Sequence, residues 1–152
     1  VAIGSLPSGA KIESLDLPKN VFTYGWMSRE KLFSMIDGSA VVLVPSKKSD
    51  GRDVPYIMRL IAIPWMEQFG RIVIEAYARE RRVIAYDSGA LSDLILDSAD
   101  LIPEGNKFLL LERLRKVIFE KDIKYSEGAV FARNYTWDQV YREFKDGINL
   151  FI

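Results

Sequence analysis

The stretch Glu67-Gln-Phe-Gly-Arg-Ile-Val-Ile-Glu75-Ala-Tyr-Ala78, followed by Arg82-Val-Ile-Ala-Tyr-Asp-Ser-Gly89, decides the fold of this chain. The first part predicts a helix that begins at Gly70, and the second predicts a short buried strand. A glycine at a helix start leaves backbone N–H groups pointing outward, where they can bind a phosphate. Glu67 precedes this helix, and Glu75 lies about one and a half turns into it. The arrangement suits a ligand with central phosphates and hydroxyls at both ends, such as a nucleotide-sugar.

Short apolar runs alternate with amphipathic segments on both sides of this stretch, which is typical of a parallel sheet covered by helices. The predicted strands are residues 1–4, 21–24, 40–44, 83–86 and 100–102. The run 40–44 is continuously apolar, as expected of a strand buried on both faces. The further predicted helices are residues 28–38, 90–96, 107–120, 127–133 and a last helix opened by a capping box of Thr136 and Gln139, which should bury Val140, Tyr141 and Phe144. The predicted fold is α/β, a doubly wound, Rossmann-like parallel sheet with helices on both faces.

Composition sets limits on the chemistry. The 152 residues suffice for one ordinary domain, which we expect to span residues 1–152. The 21 basic and 21 acidic side chains balance, so no global field attracts nucleic acid. Cysteine and histidine are absent, which removes thiolate chemistry and the commonest transition-metal ligand. We therefore expect no cofactor and no metal site. No apolar run approaches the roughly 20 residues of a membrane span, and we expect a cytoplasmic protein, with the inner membrane surface as the alternative location.

Four motifs in order resemble one family. The stretch from Glu67 to Gly89 resembles the donor-binding, C-terminal domain of retaining GT-B glycosyltransferases of the group 1 type. Asn20-Val-Phe-Thr-Tyr-Gly25 is similar to the family's strand that ends in glycine, and Ala40-Val-Val-Leu-Val-Pro-Ser46 to its strand that ends in Pro-Ser. Thr136-Trp137 resembles the start of its last helix. The resemblance implies transfer of a sugar from a nucleoside diphosphate to an acceptor hydroxyl, with the stereochemistry kept.

The resemblance also implies roles for individual residues. Glu75 should bind the ribose hydroxyls, since a carboxylate accepts hydrogen bonds from both. Glu67 should act catalytically at the transferred sugar, by holding its hydroxyls and favouring positive charge at the anomeric carbon. The further residues expected to contact the donor are Phe69, Gly70 and Arg71 through their backbone, Tyr24, Gly25 and Trp26 at the base, Ser46, and Gly89.

Each role has a plainer alternative. An arbitrary glutamate is more often a solvated helix charge than a ligand contact, and large aromatic side chains such as Trp26, Trp65 and Trp137 are by default buried. Ser88 and Gly89, with Asp93 four residues on, could make a second binding site at a helix start, or equally an ordinary glycine turn.

Two positions depart from the family's pattern. Glu80 stands where the family usually has glycine, so the turn there is either rebuilt or belongs to a divergent member. Arg82 stands where the family usually has proline, and we expect Arg81 and Arg82 to be surface charges. These departures favour an alternative function, a noncatalytic subunit or interaction module whose nucleotide-sugar site has decayed.

Other parts of such an enzyme are expected elsewhere. The family's donor domain opens with another strand and a basic loop, and a separate domain binds the acceptor, a glycan or a lipid-linked molecule. Neither is visible here, so we expect a missing acceptor domain or partner chain. Residues 47–66 resemble an insertion whose apolar part begins at Val54 and ends at Trp65. We favour a loop packed on its own core; the alternative is a peripheral contact with a membrane, a lipid-linked acceptor or another subunit.

Overall fold

A computed structural model describes residues 2–3, 18–48 and 66–149 of the chain. They belong to two compact units, Val1–Met35 and Ile36–Ile152. The insertion at residues 54–65, including Trp65, lies outside the described residues, so its predicted contacts stay predictions.

The first unit contains a pair of short parallel strands. Strand β1 (Ala2–Ile3) pairs with strand β2 (Thr23–Tyr24), with Ala2 opposite Thr23. Helix α1 (Arg29–Asp37) begins here and ends at the start of the second unit. The Ser28 hydroxyl accepts a hydrogen bond from the Lys31 N–H at 3.4 Å, which is the capping contact expected of a serine before a helix.

The second unit is built on a three-stranded parallel sheet in the order β3 (Val41–Val44), β4 (Arg82–Tyr86) and β5 (Leu101–Ile102). Val41 is opposite Arg82, and Ala85 is opposite Leu101. The helices of this unit are α2 (Arg71–Tyr77), α3 (Leu91–Leu94), α4 (Lys107–Phe119), α5 (Ser126–Ala132) and α6 (Trp137–Asn149), with 3-10 turns at Ser98–Asp100 and Arg133–Tyr135. The predicted α/β fold with a parallel sheet is confirmed.

Strand β4 lies at the centre of the core. All five of its residues are buried. Ile84 and Tyr86 pack with Val117 of α4, and side chains alternate along a strand, so Val83 and Ala85 face the opposite side. Helix α2 also packs against β4. Covering helices on both sides explain why a five-residue strand can be buried along its whole length.

Several predictions about burial are wrong. Leu43 of β3 is 40% exposed and Val41 and Val42 are only partly buried, so β3 is not a strand buried on both faces. Tyr141 is 65% exposed and lies one helical turn after Trp137, which is 88% exposed, so these two share an outward face of α6. The side chains of residues 140 and 144 lie outside the described part. The Gln139 N–H does donate to the Thr136 hydroxyl at 3.3 Å, as the capping box predicts.

The turn after α2 keeps a glycine-like conformation without a glycine. The Arg81 N–H donates to the Ala76 carbonyl and the Glu80 N–H to the Tyr77 carbonyl, both at 2.9 Å, which is the paired pattern of a Schellman helix end. This pattern places Glu80 at a left-handed φ of 55°. Such a backbone costs a non-glycine residue about 1–2 kcal/mol. The left-handed turn therefore forms although its residue is Glu80 and not glycine.

Arg82 is not the surface charge that the sequence predicts. It is 5% exposed and its guanidinium lies 2.6 Å from Asp100, 3.1 Å from Asp97 and 2.7 Å from Asp122. Arg113 of α4 binds two of these three carboxylates, Asp100 at 2.7 Å and Asp97 at 2.8 Å. A buried charge requires such partners. We call these five side chains the Arg82 network.

The backbone and ring contacts of Arg82 complete its environment. Its N–H donates to the Ile123 carbonyl at 3.4 Å, a hydrogen bond that a proline could not make. The guanidinium carbon lies 4.6 Å from the centre of the Tyr125 ring. Burial alone would lower the pKa of Arg82, but the charge of Asp100 and the hydrogen bonds to Asp100 and Asp97 raise it, so the charged form is held.

Replacing Arg82 by methionine should destabilise the protein by about 3–5 kcal/mol, because it takes from the buried Asp100 one of the two arginines that neutralise it. The measurement is the free energy of unfolding by urea denaturation. Arg115→Met, on the exposed side of α4, is the matched control and should cost less than about 0.5 kcal/mol. Equal free energies of unfolding for the two variants would show that the Arg82 network does not stabilise the fold.

Candidate functional site

The predicted site residues of the second unit gather where its parallel strands end. Ser46 follows the carboxyl end of β3, and Gly89 follows the carboxyl end of the neighbouring strand β4. Both are partly buried. In open α/β sheets, ligands bind outside the carboxyl ends of the strands, so this edge is the candidate site.

Glu67 joins the loop before α2 to the turn after β4. Its carboxylate accepts a hydrogen bond from the Gly70 N–H at 3.0 Å, and its backbone carbonyl accepts one from the Ala90 N–H at 2.9 Å. Gly89 has a left-handed φ of 58°, and a Cβ atom placed on it would overlap the Glu67 carbonyl oxygen. Only glycine permits this close approach. We call these contacts the Glu67 clamp.

Gly70 begins α2 with a left-handed φ of 67°. A Cβ atom there would lie 2.9 Å from the side chains of Leu91 and Leu94, so α2 and α3 pack closely at this point. The Gly70 N–H is already engaged by the carboxylate of Glu67. A phosphate at this helix start would therefore meet the N–H groups of Arg71 and Ile72, which have no partner within the helix.

Glu75 lies on α2 one turn after Arg71. The Arg71 guanidinium and the Glu75 carboxylate are 3.4 Å apart, and their side chains are 73% and 15% exposed, respectively. Long side chains on a helix lean toward its amino end, so the Glu75 carboxylate is directed toward the first turn of α2. The Glu75 carboxylate is thus recessed and mostly shielded from solvent.

Phe69 supports the same loop from its outer side. Its ring is 49% exposed and meets the ring of Tyr135 edge-on, with 6.1 Å between the ring centres. Tyr135 in turn packs against Phe131 of α5 at 5.2 Å. The exposed part of Phe69 adds an apolar surface to this edge of the second unit.

The three residues predicted to contact the base lie in the first unit. Tyr24 ends β2, and the Lys31 ammonium lies 5.4 Å from the centre of its ring. Gly25 is exposed and Trp26 is 88% exposed. The default expectation of burial is wrong for Trp26, as it is for Trp137, which is exposed to the same fraction.

Two lysines at the carboxyl edge were not among the site residues predicted from the sequence. Lys47 and Lys48 directly follow Ser46, and the Lys48 N–H donates to the carboxylate of Glu104, which follows β5, at 3.2 Å. The pair Lys-Lys after Pro-Ser was a signal for positive charge at this edge. Ser88 is 1% exposed, and its hydroxyl has no hydrogen-bond partner among the described residues.

Comparison with protein families identifies the class. Residues 8–128 match the family described as glycosyl transferases group 1, which covers most of the chain. The chain belongs to this glycosyltransferase family. Comparisons with curated proteins and with solved structures gave no significant match.

Family membership supports sugar transfer from a nucleotide-sugar donor to an acceptor. Within residues 2–3, 18–48 and 66–149, no helix is both long and apolar enough to cross a membrane. The same residues contain no group of three or more carboxylates placed to hold a metal ion.

The Glu67 clamp makes a steric prediction. Gly89→Ala should displace the loop before α2, because the new Cβ would overlap the Glu67 carbonyl oxygen. Gly105→Ala is the matched control: Gly105 also has a positive φ, of 78°, but a Cβ there would meet only the flexible end of Lys47, at 3.7 Å.

Both variants should lose about 1–2 kcal/mol of unfolding free energy to backbone strain. Gly89→Ala should lose more than this, and amide NMR shifts around residues 67–70 should change in Gly89→Ala alone. Identical stabilities and unchanged shifts in that loop would contradict the clamp.

Proposed function

We propose that the chain is the donor-binding, C-terminal domain of a retaining GT-B glycosyltransferase, which moves a sugar from a nucleoside diphosphate to an acceptor hydroxyl. The observation that carries the proposal is the recessed Glu75 carboxylate on the helix that the Glu67 clamp holds at the carboxyl edge of the sheet. Membership of the glycosyltransferase family supports the reaction class.

In this proposal Glu75 accepts hydrogen bonds from the two ribose hydroxyls. A carboxylate with two oxygens on a rigid helix suits a vicinal diol, and hydrogen bonds to a charged acceptor are stronger than neutral ones. Partial burial strengthens them further, because less water competes.

Glu67 would act at the transferred sugar. Its carboxylate is fixed by the Gly70 N–H, so it can hold a sugar hydroxyl in a defined position and stabilise positive charge developing at the anomeric carbon. The backbone from Phe69 to Arg71, together with Ser46 and Gly89, would surround the phosphates and the sugar.

The departing diphosphate gains negative charge as the bond to the sugar breaks. Backbone N–H groups at the start of α2 and the basic side chains Arg71, Lys47 and Lys48 would offset this charge. We therefore propose transfer without a cofactor or a metal ion. Retention of stereochemistry requires the acceptor hydroxyl to enter on the face that the diphosphate leaves.

The acceptor would be a glycan or a lipid-linked molecule, bound by an acceptor domain or a partner chain. Nucleic acid is not a partner in this proposal, in keeping with the balanced charge. The proposed location is cytoplasmic, with the inner membrane surface as the alternative. The 152-residue chain by itself should bind donor and transfer little sugar.

The departures at Glu80 and Arg82 do not favour a decayed, noncatalytic module. Glu80 keeps the left-handed turn, and Arg82 serves a buried ion network. Both positions lie at the amino end of β4, whereas the candidate site lies at its carboxyl end.

Calorimetric titration with uridine, guanosine and adenosine diphosphates tests the proposal, and at least one of them should bind. Glu75→Ala should weaken that binding by about tenfold to a hundredfold, because it removes charged hydrogen bonds to the ribose, while unfolding stability stays within about 1 kcal/mol.

Glu112→Ala, which removes an exposed carboxylate from α4, is the control and should bind like the unaltered chain. Binding to none of the three diphosphates would refute donor binding. Equal affinities of Glu75→Ala and the unaltered chain would refute the role of Glu75.

A further inference from the structure

Arg71 is paired with the carboxylate that the proposed function assigns to the ribose. The Arg71 guanidinium lies 3.4 Å from Glu75 Oε1, on the same face of α2. The two members differ in accessibility, since the Arg71 side chain is 73% exposed and the Glu75 side chain is 15% exposed. Arg71 is thus the movable member of the pair.

The pair and the ribose compete for the same oxygen atoms. A vicinal diol that donates to both oxygens of Glu75 needs the oxygen that now faces Arg71. Each carboxylate oxygen can accept more than one hydrogen bond, so Arg71 and a ribose hydroxyl compete for the lone pairs of this oxygen. The guanidinium member of this pair is 73% exposed, and an ion pair with a solvated member and a separation of 3.4 Å contributes little to stability, so separating it costs little.

The other arginines between residues 71 and 82 have partners elsewhere. Arg79 binds both carboxylate oxygens of Asp37, at 2.9 and 2.8 Å, and Arg81 donates to the Asp37 backbone carbonyl at 2.6 Å. Arg82 is buried among aspartates. Arg71 is the exposed arginine of this segment and is the first residue of α2, next to Gly70.

We propose that Arg71 exchanges partners when the donor binds, giving up its contact with Glu75 and pairing with the diphosphate. The inference rests on the proposed function of Glu75. A guanidinium can bind phosphate oxygens through two parallel hydrogen bonds, and two phosphates carry more charge than one carboxylate. Arg71 therefore favours nucleoside diphosphates over nucleosides at this site, because a nucleoside competes with it for Glu75 without offering it a new partner.

The exchange predicts effects of opposite sign. In Arg71→Met, affinity for the diphosphate should fall by about tenfold or more, because a charged hydrogen-bonded contact is lost. Affinity for the matching nucleoside should stay equal or rise by up to about fivefold, because the competitor of the ribose is gone. The probes are uridine, guanosine and adenosine with their diphosphates, measured by calorimetry or NMR titration on the 152-residue chain.

Two variants control the measurement. Lys116→Met removes one positive charge from the exposed side of α4 and should change neither affinity. Arg71→Lys keeps the charge but cannot make the bidentate hydrogen bonds of a guanidinium. Its affinity for the diphosphate should therefore lie between those of Arg71→Met and the unaltered chain.

Opposite shifts for nucleoside and diphosphate support the exchange. An equal loss for both ligands would indicate a merely structural role for Arg71 and overturn it, as would no change in either. If Glu75→Ala weakens diphosphate binding while Arg71→Met does not, this inference fails and the proposed function stands. If the unaltered chain binds no diphosphate, both fail.

Discussion

The organisation of the candidate site depends on one short segment that is fixed at two points. The carboxylate of Glu67 holds the Gly70 N–H at the start of α2, and its carbonyl holds the Ala90 N–H after β4. These hydrogen bonds join consecutive elements of the βαβ unit at the carboxyl edge of the sheet. Gly89 permits the contact because a side chain there would collide with the Glu67 backbone. Glu75 takes its position from the helix that this segment starts.

The opposite end of β4 is stabilised by charge rather than by a tight proline turn. The Arg82 network draws two arginines and three aspartates from β4, α4 and the segments that flank them. Hydrogen bonds from the Ala99 N–H and Arg82 lower the pKa of Asp97 although burial opposes this, so its carboxylate stays ionised near neutral pH. Glu80 completes this end by adopting a left-handed turn beside Lys124, 3.1 Å away. The site and the ion network thus lie at opposite ends of the same strand.

Periodicity and helix signals predicted most elements of the second unit, because α4, α5 and β4 each have a continuous pattern and clear ends. The burial of Arg82 could not be predicted from sequence, since its partners come from separate segments that only the folded chain brings together. The exposure of Leu43 depends on which strands pair, and that of Trp137 on which face of α6 is covered. The residues 67–75 were predictable as a group, but the Glu67–Gly70 hydrogen bond and the Arg71–Glu75 pair are visible only in the structure.

The central claim is that Glu75 binds the ribose of a nucleoside diphosphate at the carboxyl edge of the sheet. A crystal structure of the chain with uridine, guanosine or adenosine diphosphate, whichever binds, tests it most directly. Both ribose hydroxyls should lie within about 3 Å of the Glu75 carboxylate oxygens. A nucleotide bound elsewhere, or bound here with its ribose remote from Glu75, would contradict it.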